Sequence, residues 1–234
     1  MKRLLPPVLV IAAVTVIFIG SARAQYSTPP PSVEETEATY TTAIENRTAA
    51  IITALKLTDP EKSARVHDVI IAQYRTLKAR DEAIDSLLKL QGKEINYANR
   101  AHLLLDESKP LHDKFLAKLA ADLTPEQVEI VKDKMTYNKV QVTYDAYCSI
   151  FSGLTDADKA DVLNKLKLAR EEAMDGGSAS EKSAIFQKYK DQINSYLTTH
   201  GYDVARSYKE WEAKQQAAIK SSDATGMHPA QPAK

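Results

Sequence analysis

Three times this chain writes the same helix start: Leu57-Thr58-Asp59-Pro60-Glu61, Leu123-Thr124-Pro125-Glu126-Gln127 and Leu154-Thr155-Asp156. A Thr or Asp side chain accepts a bond from a free amide of the first helical turn, and a Glu or Gln three residues on reaches back to the cap. Thr58 with Glu61 and Thr124 with Gln127 have the spacing of such capping boxes. Proline in the first turn costs nothing, because its missing N–H has no intrahelical acceptor there. Leu123 and Val128 flank the second cap as a hydrophobic staple. The starts stand 66 and 31 residues apart, so they punctuate helices and do not mark a repeat of fixed period.

Between these starts the apolar residues recur at helical spacing. A first helix is expected from about 34 to 55, with Tyr40, Ile44, Ile51 and Leu55 on its inner face. A second follows, with Val66, Val69, Ile70, Tyr74 and Leu77 on one side and Gly92 as its stop. A third covers about 94 to 122, with a break or kink expected near Lys109 because Pro110 cannot donate to the preceding turn. Further helices are expected after Thr155, from Ser178 to His200, and from Asp203 to Lys220.

The segment Lys139 to Ala146 alternates polar and apolar residues, which is a strand pattern, yet Tyr137, Val140, Tyr144, Tyr147 and Phe151 also fall on one helical stripe. A lone strand would leave its backbone unsatisfied and no partner strand is in view, so helix is expected. Only 7 glycines are present, too few for the tight turns of an all-β fold. The expectation is an all-α, single-domain bundle of about six or seven helices over residues 34–220.

Residues 1–24 read as a signal peptide. Lys2 and Arg3 precede an uncharged run from Val8 to Ile19, and Ala22 and Ala24 place the cut after Ala24. The run is shorter than the roughly 20 residues of a membrane-spanning helix, so no integral segment is expected after cleavage, and the destination is the periplasm or the medium. A Pro-rich leader, 25–33, and a disordered tail, 221–234, complete the organisation. Without the signal the chain carries 28 basic and 31 acidic residues, which gives no electrostatic reason for a nucleic-acid partner. One cysteine, Cys148, leaves the fold to hold by packing without an internal disulfide.

Little points to catalysis. His67, His102, His112, His200 and His228 never stand three or four apart, so a metal site would need assembly from separate helices. Asp106-Glu107 and Asp156 with Asp158 read as helix-end and surface charge. Cys148, in an aromatic setting without a base nearby in sequence, reads as an inert buried thiol. No phosphate-binding glycine loop or other cofactor signature is present, so neither catalytic residues nor cofactor nor metal is assigned. The tyrosines are more informative. They form core with each hydroxyl reaching a partner, or they line a groove where a ring face meets a sugar and a hydroxyl bonds it.

The segments LKLTDPEKSARVHDVIIAQY, PLHDKFLAKLAADLTPEQVEIVKDKMTYNKVQVTYDAY, LTDADKADVLNKLKLAREEAMD and SAIFQKYKDQINSYLTTHGYD occur in an order that resembles a family of secreted bacterial proteins, domain of unknown function 3826, whose suggested role is sugar binding. The resemblance runs from about Leu55 to Trp211. It implies an all-helical domain exported by a polysaccharide-degrading bacterium, and the expectation is that it binds oligosaccharide or polysaccharide non-catalytically, enzyme activity being the less favoured class. His112, Tyr137, Tyr144 and Tyr147 lie in its most family-like segment and are the ligand-binding residues it suggests. Leu123-Thr124-x-x-Gln127 is also similar to the Leu-Thr-x-x-Gln motif of small periplasmic helical chaperones and envelope-stress sensors, which leaves a chaperone-like or protein-interaction role as the alternative.

Overall fold

The computed structural model describes residues 37–224; the expected signal peptide, the leader and residues 225–234 of the expected tail lie outside them. The described residues form eight helices and no strand: α1 (Glu37–Leu55), α2 (Pro60–Leu90), α3 (Tyr97–Ala120), α4 (Pro125–Met135), α5 (Lys139–Ile150), α6 (Asp156–Met174), α7 (Ala179–Thr199) and α8 (Val204–Ala224). None of them is long and apolar enough to cross a membrane. The helical bundle is the one that apolar spacing and caps imply, with one helix more than the upper count.

The additional helix arises inside the tyrosine-rich stretch. Tyr137 and Asn138 both take left-handed backbone angles, with φ of 59° and 54°, and the Asn138 amide closes back on the Asp133 carbonyl at 2.7 Å. Two successive residues in that region turn the chain, so α4 and α5 are separate helices. Lys139 to Ala146 is helical as expected, but Tyr137 leaves the stripe and is exposed, while Val140, Tyr147 and Phe151 are buried.

Caps locate the other boundaries. Thr124 and Gln127 exchange the two bonds of a capping box, at 3.1 and 3.3 Å. Thr155 makes the same box with Asp158, and the Ser178 hydroxyl accepts the Glu181 amide. The first start differs from expectation: Asp59, not Thr58, caps α2 and accepts the amides of Glu61 and Lys62. Pro60 explains the shift, because a proline at the first helical position makes its predecessor the cap, as Pro125 does for Thr124. Gly92, at φ 65°, lies just beyond α2 and lets the amides of Gly92 and Lys93 return to the Lys89 and Leu88 carbonyls. Of the break or kink expected near Pro110, the break does not occur: α3 is continuous. Pro110 is on the exposed side, where water can take the carbonyl bond that its ring forfeits.

Two hydrophobic cores result. The first joins α1, α2, α3 and α4 through Ile44, Ile51, Ile70, Phe115, Leu119 and Val131, with Met174 of α6 closing it. The Tyr40 hydroxyl donates to the Tyr74 carbonyl at 2.7 Å, tying α1 to α2 inside this core. The second joins α5, α6 and α7 through Tyr147, Phe151, Val162, Leu166, Phe186 and Ile193, with Tyr208 of α8 packed against it.

Charged side chains stitch the two cores together. Arg170 of α6, buried in the seam, donates to Asp133 of α4 at 2.6 Å, and to Glu129 and Glu171. The α6–α7 turn lies against α2: Arg80 donates to the Asp175 carbonyl at 2.6 Å and to the Asp81 carboxylate, which Arg100 of α3 also meets. Buried Lys182 donates to the last carbonyls of α6, those of Ala173 and Met174, and so caps the helix that precedes its own. Burial lowers its ammonium to a pKa of about 8.

Candidate functional site

The end of α5 and the first half of α8 face each other across a cleft of about 180 Å³. Its floor is Phe151, the C-terminal cap of α5 and 3 % exposed. The Phe151 ring lies 6.0 Å from the stacked ring of Tyr147 and receives the edge-on rings of Tyr202 and Tyr208 at 6.1 and 5.9 Å. Edge-to-face and offset stacking at these distances is the favoured aromatic geometry, so three rings hold the floor in place.

The walls carry two amphipathic rings. Trp211, one α8 turn after Ser207, donates its indole N–H to the Ser149 hydroxyl at 3.1 Å, which fixes the ring against the end of α5. Tyr202, in the α7–α8 turn, places its hydroxyl 2.7 Å from the Asp158 carboxylate and 3.1 Å from the Gly153 carbonyl. Asp158 also receives the Tyr196 hydroxyl at 3.1 Å and the Thr155 hydroxyl at 2.6 Å. These donors, that of Thr155 foremost and then that of Tyr202, draw its pKa from 3.8 down to about 2.

The N-cap of α6 and one wall of the cleft therefore share one carboxylate. A carboxylate held more acidic in the folded chain stabilises it above the unfolded pKa, and that stability is lost as pH falls through the folded value. Asp158→Asn is expected to lower the urea midpoint at pH 7, with the gap to the parent closing between about pH 4 and pH 2. A gap that stays constant down to pH 2 would show that the ionised form of Asp158 is not what the tyrosines hold.

Polar and charged residues line the cleft around the aromatic floor: Ser149, Ser152, Ser207, Glu210 and Lys214. Neither the Ser152 nor the Ser207 hydroxyl has a hydrogen-bond partner among the described residues, so both are available to a ligand. A second depression, about 480 Å³ and open to solvent, runs along α1 past Ala38, Thr42 and Asn46. It offers neither an aromatic ring nor a charge.

The four residues suggested by resemblance do not converge. His112 is on α3, with Nδ1 3.0 Å from an Asp175 carboxylate oxygen and Nε2 3.6 Å from Glu171, and the Asp175 bond raises its pKa. It belongs to the charged seam between the cores. Tyr137 projects from the α4–α5 turn. Tyr144 is half-buried on α5, and Cys148, one turn on, is itself half-buried rather than buried. Tyr147 alone adjoins the cleft, one layer behind it: it is 2 % exposed, stacks on Phe151 and donates its hydroxyl to Asn194 at 2.9 Å.

The residues that do line the cleft, Tyr202 and Trp211 above all, carry no local motif. Residues 149–153 meet residues 202–214 only through the tertiary packing of α8 on α5. The one signal available was the chain's single tryptophan, in its last helix. Among the described residues no three His, Cys, Asp or Glu side chains converge as a metal cage. A family model described as a protein of unknown function, DUF3826, matches residues 41–217, and no curated protein matches the chain.

Proposed function

Because the chain belongs to the DUF3826 family, described as proteins of unknown function, its role must be argued from its own surface, and we propose that it is an exported protein that binds carbohydrate non-catalytically in the cleft between α5 and α8. The observation that carries the reading is Trp211, held by Ser149 beside the Phe151 floor, in a cleft also lined by Ser152 and Ser207, whose hydroxyls have no partner among the described residues. A sugar ring has an apolar C–H face and a hydroxyl-bearing edge. An indole with its polar N–H already satisfied presents its face to the first, and serine hydroxyls serve the second. The cleft is smaller than the roughly 300 Å³ at which pockets for drug-sized ligands begin, so it suits one sugar ring or a chain end.

Isothermal titration of the purified protein with a panel of cell-wall oligosaccharides tests this. Trp211→Ala is expected to weaken binding about 30-fold, the effect of removing an anchor worth ~2 kcal/mol. Tyr137→Ala, exposed and outside the cleft, is expected to leave binding unchanged. Binding that survives Trp211→Ala would place the sugar elsewhere.

A second reading, protein interaction, draws on one observation. Leu87, Leu90 and Ile95 are exposed together at the α2–α3 corner, Leu90 by 85 %. Clustered exposed apolar side chains mark contact surfaces. Silence across the sugar panel would turn attention to that corner.

A further inference from the structure

We infer that the sugar taken by this cleft is an anionic one, a uronic acid whose carboxylate meets Lys214. The inference rests on the carbohydrate reading above and narrows its ligand class. Two charged side chains reach the cleft, Glu210 and Lys214. They stand four residues apart on α8, with the acid N-terminal to the base, which is the favourable order for an ion pair along a helix. That pair is not made. Glu210 instead accepts from Arg206, one turn earlier, at 2.7 Å. Lys214 has neither hydrogen bond nor ion pair among the described residues.

The consequence for the cleft is a local charge of one sign. Arg206 neutralises Glu210, the three serines are neutral, and the Asp158 carboxylate faces away into its cap and its tyrosines. One uncompensated ammonium remains at the rim, beside rings that suit a pyranose face. A ligand that satisfies all three surfaces has an apolar ring face, hydroxyls and a single anionic group per ring. Lysine is a compact point charge that takes either a carboxylate or a sulfate ester. The carboxylate is the smaller of the two groups, and that favours a uronate. The domain as a whole carries no excess of positive charge, so the preference is local to this ammonium and not a general attraction for polyanions.

The test is a calorimetric titration with trigalacturonic acid, with its fully methyl-esterified form, and with a sulfated neutral trisaccharide. The acid is expected to bind about tenfold more tightly than the ester, the gain of one hydrogen bond to a charged group. Lys214→Met is expected to bring the acid down to the affinity of the ester and to leave the ester unchanged; Lys214→Arg is expected to restore the preference. Lys214 is exposed, and an unaltered near-ultraviolet dichroism spectrum separates loss of the ammonium from loss of the fold. Equal affinity for acid and ester, or tighter binding of the sulfated sugar, overturns the uronate inference while leaving carbohydrate binding intact. Failure of all three sugars, together with silence across the wider panel, overturns the carbohydrate reading itself.

Discussion

Gly177→Ala is expected to destabilise the fold by about 3 kcal/mol, which for a chain of this size lowers Tm by roughly 6–12 °C. A Cβ built at Gly177 would stand 1.6 Å from Oδ2 of Asp81. An exposed aspartate would swing aside at little cost, but this one is held at both oxygens. Oδ1 accepts from Arg80 Nε at 3.0 Å and Nη2 at 2.7 Å, and Oδ2 faces Arg100 Nη2 at 3.1 Å. Moving it breaks the Arg100 contact and unsettles Arg80, whose other bonds reach Ser108 and the Asp175 carbonyl. The turn itself cannot retreat freely, because the Gly177 amide donates to buried Glu181 at 2.8 Å. Gly153→Ala is the control. Nothing lies within 4 Å of its added methyl, so a change under about 0.5 kcal/mol is expected. Urea midpoints for both variants check the pair, and equal midpoints would mean that Asp81 does not approach the turn as described.

Arg170→Met is expected to cost about 3 kcal/mol, the lower end for removing one partner of a buried ion network. The lower end applies because Glu129, Asp133 and Glu171 are each partly exposed and can rehydrate once the guanidinium is gone. Lys132 also remains beside Glu129 at 3.0 Å and Glu171 at 2.9 Å. Methionine fills much of the arginine stem's volume, so the loss reports the ion pairs and not a void. Unfolding in urea at low and at high salt measures it. The deficit should persist in salt, since a buried network is screened far less than a surface pair. A deficit that vanishes at 1 M salt would make Arg170 an ordinary surface contact.

These two variants also mark the limit of what the sequence discloses. Helices were legible because their signals are local. Thr124 with Gln127, Ser178 with Glu181, and the stripe of Ile44, Ile51 and Leu55 each lie within a few turns. The α4–α5 division was not legible, since Tyr137 and Asn138 take left-handed angles without a glycine to announce them. The charged seam is not legible in sequence, because Arg80 and Asp81 gain their partners from residues 19 to 95 positions away. The cleft was invisible for the same reason: Phe151 and Trp211 are helix-stripe residues until α8 is laid on α5. His112 and the central tyrosines stood out by family-like context, and context of that kind carries no geometry.

The order in which the helices touch bears on how quickly this chain can find its shape. α1 packs on α2, α2 on α3 and α3 on α4; α5 packs on α6, α6 on α7 and α7 on α8; α1 with α4, α4 with α6 and α5 with α8 are the longer reaches. Closing short loops costs little chain entropy, and proteins dominated by such neighbours fold in microseconds to milliseconds. Apart from Met174 of α6, which closes the first core, each core can therefore assemble within its own half of the chain before the other exists. Arg170, whose α4 partners lie 37 and 41 residues away, contributes only after both halves are in place. It belongs to the barrier against unfolding more than to the search, and the seam it fastens governs how long the molecule stays folded once it has arrived.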